Sequence, residues 1–336
     1  RSLPDDLESK LLACLEPEKV ATRKASGTVL QTAAELVPWL VGGSADLAPS
    51  TNTLLKAESS VAAGRFNGRN LHFGVREHAM GAVLNGMSLY GGWIPYGATF
   101  LVFSDYMRPA VRLAAMMRRQ TIYVFSHDSI LIGEDGPTHQ PIEHLAGLRA
   151  IPNLVVIRPA DGPETAIAWA TALRRKDGPT ALILTRQSLP PIERPPAADA
   201  SGLKQGGYLL LDCDGSPDVL LIGGGSELHL LVDVWKRLGD AGRAARVISM
   251  PSLELFGMQP QSYRETVLPP TCRRRVVVEA ANAECWRAVA EADGVIIGID
   301  RFGASAPYAV LAERFGFTAD AIYARVAEYL SDQRGD

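Results

Sequence analysis

The segment LIGEDGPTHQP, residues 131–141, places ionisable side chains among residues that stop regular structure. It holds two carboxylates, Glu134 and Asp135, and the imidazole of His139, together with two glycines and two prolines. Because glycine and proline interrupt helices and strands alike, the sequence predicts a stiff, shaped loop. A loop that carries this many ionisable groups is a candidate site, and the alternative interpretation is a polar surface turn.

The elements on both sides of this loop alternate between short apolar runs and helical patterns. The runs NLHFGV (70–75), TIYVFSH (121–127) and TALILTR (180–186) are typical of buried strands. The segments TRKASGTVLQTAAELVP (22–38) and REHAMGAVLNGMSLYGG (76–92) have helical patterns. This alternation predicts an α/β fold in which helices wrap a mainly parallel sheet.

Several polar side chains follow predicted strands directly. Asp46 comes after the run WLVGGSA, Glu77 after NLHFGV, His127 after TIYVFS and Arg186 after TALILT. In parallel sheets the ligand crevice lies outside the carboxyl ends of the strands. The sequence therefore predicts that these groups converge on one edge of the sheet.

Three aromatic residues follow the run WIPYGATF at a regular spacing. We predict a long helix over residues 101–119, on which Phe100, Phe103 and Tyr106 fall at positions i, i+3 and i+6. At 3.6 residues per turn, these side chains cover about a third of the helix circumference. The pattern alone favours an ordinary core stripe.

The length of 336 residues favours two domains in tandem. We predict an N-terminal helix or linker over residues 1–20 and a first α/β domain over 21–188. A proline-rich linker over 189–201 would separate it from a second α/β domain over 202–336. In this second domain, the sequence IGGGSE lacks the G-x-G-x-x-G form and predicts a tight turn between strand and helix.

Composition excludes several classes of function. A net charge of −3 gives no sign of a nucleic-acid-binding surface. No apolar run approaches the roughly 20 residues that span a bilayer. The four cysteines are scattered without a C-x-x-C pair, which favours a reduced, cytoplasmic protein over a disulfide framework or a zinc site.

The motifs GGSADLAPS, GVREHAMGAVLNG, TFLVFSDY, HDSILIGEDGPTHQP and LTRQSLP together resemble the middle and C-terminal domains of transketolase, a thiamine-diphosphate enzyme. The resemblance continues in SMPSLELF and DRFGASAP and covers essentially the whole chain. It implies transfer of a two-carbon ketol unit from a ketose phosphate, such as xylulose 5-phosphate, to an aldose phosphate, such as ribose 5-phosphate. It also implies thiamine diphosphate with Mg²⁺ or Ca²⁺ as cofactors, and a homodimer.

One part of the family pattern is absent from this sequence. Transketolases hold the diphosphate and its metal through a GDG sequence followed by an asparagine in an N-terminal domain, and no GDG occurs here. We therefore expect metal ligands only in a separate N-terminal domain or subunit, without which the chain is inactive. A separate gene, a deleted segment or proteolysis would each account for this absence.

The resemblance assigns the cofactor's aminopyrimidine to five residues, with Glu77 as the main catalytic group. A carboxyl group that exchanges a proton with the ring nitrogen favours the imino tautomer, which can deprotonate the thiazolium carbon. The alternative interpretation of Glu77 is a carboxylate favoured by a helix N-terminus. By resemblance, Phe100 and Phe103 stack on the ring, Tyr106 lies there or farther out, and Asp46 lies near the cofactor.

The resemblance assigns the sugar phosphate to a second set of residues. His139, a second catalytic candidate, and Asp135 would line the channel for the sugar chain and bond its hydroxyls. The far phosphate would be bound by Arg23, Ser50, His127 and Arg186. Arginine suits this task because its guanidinium forms two parallel hydrogen bonds. An exposed charge at a helix start is the alternative interpretation of Arg23.

Two other classes of protein share part of this pattern. The β subunit of a 2-oxoacid dehydrogenase and deoxyxylulose phosphate synthase have the same glutamate and architecture, but the segment HDSILIGEDGPTHQP favours transketolase. A non-catalytic remnant that only dimerises is the third possibility. Retention of Glu77 and of the sugar-channel residues argues against it.

Overall fold

The computed structural model describes residues 2–332 and divides the chain into two compact units. Unit 1 comprises the residues up to Asp128 together with Gly147–Pro191. Unit 2 comprises Ser129–Ala146 together with the residues from Ile192 onward. The predicted fold class, α/β with two tandem domains and mainly parallel sheets, is confirmed.

The helices and strands have the following bounds. The α-helices are α1 (Leu7–Ala13), α2 (Thr22–Leu36), α3 (Ala48–Thr51), α4 (Glu77–Tyr90), α5 (Ser104–Met116), α6 (His144–Arg149), α7 (Gly162–Arg174), α8 (Glu227–Asp240), α9 (Leu253–Gly257), α10 (Gln261–Val267), α11 (Arg287–Ala290), α12 (Tyr308–Arg314) and α13 (Ala319–Asp332). The strands are β1 (Leu40–Ser44), β2 (Asn70–His72), β3 (Ile94–Phe100), β4 (Ile122–Ser126), β5 (Val155–Ile157), β6 (Thr180–Leu184), β7 (Tyr208–Leu211), β8 (Val219–Gly223), β9 (Ala245–Ser249), β10 (Arg275–Val278) and β11 (Val295–Ile297).

Unit 1 is built on a parallel sheet with the strand order β2-β1-β3-β4-β6-β5. The four central strands, β1, β3, β4 and β6, are buried along their whole length, as expected for a sheet covered on both faces. In the core, the fully buried rings of Tyr96 and Trp169 meet edge to face, with centroids 6.5 Å apart. The Trp169 Nε1–H donates to Ser26 Oγ at 2.8 Å, which fixes α2 against α7.

The helices of unit 1 follow their sequence signals closely. Helix α7 begins after Asp161, whose side chain accepts a hydrogen bond from the Glu164 N–H at 3.0 Å and so caps the helix. Helices α4 and α5 approach closely at Gly81, where an added Cβ would lie 2.7 Å from the Ala110 Cβ. A larger residue at Gly81 would therefore push the two helices apart.

The predicted helix over residues 101–119 is wrong at its start. Phe100 is the last residue of β3, and residues 101–103 form a 3₁₀ turn before α5 begins at Ser104. Phe100, Phe103 and Tyr106 therefore lie on a strand end, a turn and a helix rather than on one helical stripe.

Unit 2 contains a sheet with the strand order β11-β10-β8-β9-β7. Its strands are parallel except β7, which pairs antiparallel with β9 at the sheet edge. Strand β7 was not predicted, because its four residues give too short an alternating pattern. The IGGGSE segment makes the predicted turn between β8 and α8, with Gly225 at a φ of +58°.

The loop of residues 129–146 belongs structurally to unit 2, although it follows β4 of unit 1 in the chain. We call these residues the substrate loop, after the role that the family resemblance implies for Asp135 and His139. The boundaries 21–188 and 202–336 remain a prediction, and this grouping was not part of it. The grouping matters because the loop carries Asp135 and His139.

Two further observations concern the environment of the chain. In the described part of the chain, no helix is both long enough and apolar enough to cross a membrane. The four cysteines, all of which lie in that part, form no disulfide.

Candidate active site

The predicted site residues of unit 1 meet at one edge of the parallel sheet. Asp46 follows β1, Phe100 ends β3, His127 follows β4 and Arg186 follows β6, and these four strands are consecutive neighbours. The chain moves outward from β1 to β2 and then returns to β3 on the other side of β1. Such a reversal opens a crevice at the carboxyl ends of the strands, and here it lies between Asp46 and Phe100.

Arg23 and Arg186 form a positively charged pair at this edge, and Ser50 lies beside Arg23. The Arg23 guanidinium donates through Nη1 to the Ser50 carbonyl oxygen. Burial and, secondarily, the positive charge of nearby Arg186 lower the pKa of Arg23. The buried Nε of Arg23 has no hydrogen-bond partner within residues 2–332. Two neighbouring guanidiniums with an unused buried donor are suited to bind an anion.

A pair of threonines brings the start of α2 to the end of β6. The Thr22 N–H donates to Thr185 Oγ1 at 3.1 Å, and the Thr185 N–H donates to Thr22 Oγ1 at 2.8 Å. Both side chains are fully buried, so this reciprocal bond fixes the neighbouring residues Arg23 and Arg186 on either side of it. The sequence analysis missed this pair, because its members are 163 positions apart.

Gln187, which follows Arg186, is a second residue that the sequence analysis did not single out. Its side chain is 8% exposed, and neither its Oε1 nor its Nε2 has a hydrogen-bond partner among the residues that the structure describes. Buried amides are normally hydrogen-bonded. An unsatisfied amide beside Arg186 therefore adds to the signs of a ligand at this edge.

Glu77 is the first residue of α4 and is 8% exposed. Helices α4 and α5 run in the same direction, because Gly81 faces Ala110 while Ser88 Oγ, farther along, donates to the Gln120 carbonyl at 2.8 Å. Both N-termini therefore lie at one end, next to the carboxyl end of β3. Acidic side chains are favoured near helix N-termini, and the Glu77 carboxyl group is placed there to form a hydrogen bond with a ligand.

Aromatic rings stand beside this helix end. Phe100 and Phe103 are nearly parallel, with centroids 5.8 Å apart and planes 11° apart. Tyr106 lies 6.1 Å from Phe103 between centroids and is 66% exposed. The structure thus brings the three predicted aromatics together despite the wrong helical assignment, and it offers flat surfaces suited to stacking.

His127 contacts the aromatic group directly. Its ring stacks on Phe100 with centroids 3.6 Å apart, and its Nδ1 lies 2.9 Å from Ser126 Oγ. The backbone of His127 has a φ of +63°, as does that of Asp46. A positive φ is uncommon for residues other than glycine and often marks functional turns. The predicted phosphate ligand is therefore a neighbour of the predicted stacking residue.

A buried ion pair supports the turn after β4. The Arg158 guanidinium donates through Nε and Nη2 to Asp128 Oδ2 at 2.9 and 2.7 Å. Both side chains are at most 1% exposed. Because Asp128 directly follows His127, this pair anchors the backbone that presents the imidazole. The sequence analysis missed the pair, although Arg158 follows the strand run NLVVI as other candidates follow theirs.

Asp135 and His139 lie on the substrate loop in unit 2. Asp135 is exposed, and His139 is half-buried with its Nδ1 2.9 Å from Thr138 Oγ1. Glu134, to which no role was assigned, is also exposed. The exposed groups of the loop are therefore available to a polar ligand.

Comparison with known proteins identifies relatives for both units. Residues 18–191 match the family model described as transketolase, pyrimidine binding domain, and residues 206–318 match the transketolase-like TK C-terminal domain. The chain is 50% identical to the transketolase of Aquifex aeolicus, with 93% of this chain and 45% of that protein covered. It is 49% identical to the transketolase of Geobacillus stearothermophilus, with 98% and 49% covered. The chain thus spans about half the length of the curated relatives it matches.

Solved structures agree with these matches. A transketolase from Leishmania mexicana superposes with a TM-score of 0.93 at 42% identity, covering 99% of this chain and 48% of that one. A Pichia stipitis transketolase in complex with sedoheptulose 7-phosphate gives a TM-score of 0.91 at 38% identity, with 100% and 49% covered. A split-gene transketolase, described as an inactive β4 tetramer, gives 0.72 at 25% identity, with 94% of this chain and 100% of that chain covered.

Proposed function

The chain belongs to the transketolase family, and we propose that it is the half of a transketolase that binds the cofactor's aminopyrimidine and the sugar phosphate. The complete enzyme would transfer a two-carbon ketol unit from a ketose phosphate such as xylulose 5-phosphate to an aldose phosphate such as ribose 5-phosphate. The family depends on thiamine diphosphate. The catalytic and binding roles below are parts of this proposal.

The observation that carries the proposal is the guanidinium pair Arg23 and Arg186. Burial and, secondarily, the charge of Arg186 lower the pKa of Arg23, so an anion that neutralises this guanidinium would be favourable, and the Nε of Arg23 has no hydrogen-bond partner in the described part of the chain. A sugar phosphate supplies a dianionic group with several acceptor oxygens. Arg23, Ser50, His127 and Arg186 would bind this phosphate at the sheet edge.

The residues beside α4 fit an aminopyrimidine. Thiamine diphosphate, when bound, supplies the carbon nucleophile and electron sink that ketol transfer requires. Glu77 would exchange a proton with a ring nitrogen, as a buried carboxylate at a helix N-terminus can. Phe100 and Phe103 would cover the ring, and Asp46 and Tyr106 would border it.

The substrate loop would bind the hydroxyl groups of the sugar chain. His139 would hold or move a proton at a substrate hydroxyl, because an imidazole ring has two nitrogens that can donate or accept a hydrogen bond. Asp135 would accept a hydrogen bond from a neighbouring hydroxyl. An epimer that leaves such a group unpaired is disfavoured, which would give selectivity for sugar stereochemistry.

A partner must complete the site under this proposal. Mg²⁺ or Ca²⁺ and the diphosphate would be held by an N-terminal transketolase domain or subunit, since the diphosphate motif is absent from this sequence. The full coverage of the split-gene transketolase chain supports this arrangement. We further propose a homodimer and a cytoplasmic location.

The test of the activity is ketol transfer in a reconstituted enzyme. The chain is combined with an N-terminal transketolase domain, thiamine diphosphate and Mg²⁺, and is assayed with xylulose 5-phosphate plus ribose 5-phosphate. We expect turnover with both halves and none with either half alone. Turnover of pyruvate in place of the ketose phosphate would contradict the proposal and favour a sister family.

A second test measures the affinity of the chain for the cofactor. Without the diphosphate site, stacking and the Glu77 bond contribute only a few kcal/mol against the cost of ordering the ligand. We therefore expect calorimetry to give a Kd for thiamine diphosphate of about 1 mM or weaker for the chain alone. Addition of the N-terminal half should lower this Kd. Micromolar binding by the chain alone would contradict this division of the site.

A further inference from the structure

The substrate loop has an exposed tip and a buried base. Its 3₁₀ turn, Ile130–Ile132, is buried, whereas Glu134 and Asp135 at the tip are exposed. Gly133 and Gly136 have φ values of +88° and +77°, which glycine adopts more readily than other residues. Such backbone does not hold a single conformation through its own propensity, so the fixed shape needs support from side chains and from other segments.

Gln140 supplies much of this support. Its side chain is 2% exposed, and its Nε2 lies 3.3 Å from the Ile130 carbonyl oxygen and 3.0 Å from that of Gly133. These two contacts close the loop on itself. The same nitrogen lies 2.9 Å from the carbonyl oxygen of Ala304, which is remote in sequence. One amide thus joins both ends of the loop to the segment 300–308.

Segment 300–308, which we call the clamp segment, contacts the loop at further points. Ser305 Oγ donates to the Glu134 carbonyl oxygen at 2.7 Å, next to Asp135. At Gly303 an added Cβ would lie 1.7 Å from Gln140 Oε1. At Gly133 an added Cβ would lie 3.3 Å from the backbone nitrogen of Tyr308. A side chain at Gly303 would therefore displace the Gln140 amide, and one at Gly133 would crowd Tyr308 in a backbone conformation that favours glycine.

A third tie lies at the end of the loop. The N–H of Asn282, which follows β10, donates to the Ile142 carbonyl oxygen at 2.8 Å. The loop is thus fastened at its tip and at two points after it, each time by residues from the C-terminal part of the chain.

We propose that the clamp segment positions the substrate loop, with Gln140 and Ser305 as positioning residues for Asp135 and His139. The C-terminal part of the chain then contributes to sugar recognition as well as to assembly, although none of its own side chains needs to touch the sugar. The statement about recognition rests on the proposed function. The statement about the fastening of the loop does not.

The first test is hydrogen exchange on the full chain, which requires no partner. Ser305→Ala removes one donor at an exposed position. The matched control, Ser331→Ala, removes a bond of the same kind and length, from Ser331 Oγ to the Glu328 carbonyl oxygen at 2.7 Å. We expect exchange of the Gly136 and His139 amides to rise about five- to tenfold in Ser305→Ala only, since a lost hydrogen bond shifts local opening by about this factor.

Gln140→Ala should increase exchange across the whole loop, with Gln259→Ala as its control. Gln259 donates a single bond, to the Leu255 carbonyl oxygen at 2.9 Å, in the same unit. If Gln140→Ala fails to fold, Ser305→Ala still decides the matter. Loop exchange within twofold of the matched controls would overturn the fastening.

The second test uses the reconstituted enzyme. In Ser305→Ala and Gln140→Ala, we expect kcat/KM to fall about tenfold and selectivity between epimeric sugar phosphates to fall with it. The Kd for thiamine diphosphate should stay within twofold, because the clamp touches no residue assigned to the cofactor. Unchanged epimer selectivity despite faster loop exchange would overturn the positioning role. If no variant and no wild type transfers ketol units, the proposed function fails, and the exchange data still decide the fastening.

Discussion

The sheet-edge residues of unit 1 and the substrate loop of unit 2 are held in place by different means. Arg23 and Glu77 stand in the first turns of helices, so the hydrogen-bonded backbone fixes their positions. Asp135 and His139 instead lie among glycines with positive φ, and the side chains of Gln140 and Ser305 provide the support. Sites on helices and strands are held more rigidly than sites on loops.

This difference has a consequence for mutation. At the sheet edge, a substitution removes the chemistry of one side chain and leaves its neighbours in place. In the loop, we expect the supporting contacts to matter as much as the side chains that they position. The following predictions test this contrast.

The largest effect is expected at Glu77. Glu77→Gln keeps the size of the side chain and removes the exchangeable carboxyl proton, so we expect turnover of the reconstituted enzyme to fall about 10²- to 10⁴-fold. Thermal unfolding should be nearly unchanged, with Glu35→Gln, an exposed position at the far end of α2, as control. Turnover within twofold of the parent would remove Glu77 from the mechanism.

The next effect is on stability and concerns the turn beneath His127. Arg158→Met leaves the Asp128 carboxylate buried without its counter-ion, which typically costs about 3–5 kcal/mol. Urea unfolding of the chain measures this loss. The control is Lys10→Met, which breaks an exposed pair with Asp6 whose bond is 3.0 Å and should cost less than about 1 kcal/mol. If both variants lose the same free energy of unfolding, the buried ion pair stabilises the fold no more than the exposed pair does.

A smaller effect is expected at Arg186. Arg186→Ala should raise KM for phosphorylated sugars about tenfold or more, since a hydrogen bond to a charged group contributes about 1.5–3 kcal/mol. Unphosphorylated analogues should be affected much less. Arg119→Ala serves as control, because this exposed residue precedes β4 at the opposite edge of the sheet. If KM rises by the same factor for both kinds of substrate, Arg186 has a structural role and does not bind the phosphate.

The smallest effect is expected at the loop tip. Thr138→Ala removes the hydroxyl 2.9 Å from His139 Nδ1, and an exposed hydrogen bond of this kind contributes about 0.5 kcal/mol, so kcat/KM should change only about twofold. Thr266→Ala, which removes a bond within α10, is the matched control. A tenfold loss in Thr138→Ala would mean that the tip holds its own conformation, which contradicts support by Gln140 and Ser305.

The fold class and the convergence at the sheet edge could be predicted from the sequence. Buried parallel strands read as apolar runs, and the residue after each run falls at the carboxyl edge by geometry alone. This placed Asp46, His127 and Arg186 at one edge without knowledge of the strand order. The aromatic set was found through its motif, but its helical geometry was wrong, because a strand can end in a 3₁₀ turn without any change in apolar spacing.

Only the tertiary structure revealed the supports of the site. Thr22 with Thr185 and Asp128 with Arg158 pair across 163 and 30 positions, and the clamp reaches Gln140 from Ala304 across 164. Local propensity and periodicity extend over a few turns of chain, so they carry no information about such pairs. The residue types that could do chemistry are therefore determined by the sequence itself. The residues that hold these groups in position are determined by the tertiary structure, because only folding brings distant backbone carbonyls within hydrogen-bonding distance of one buried side chain.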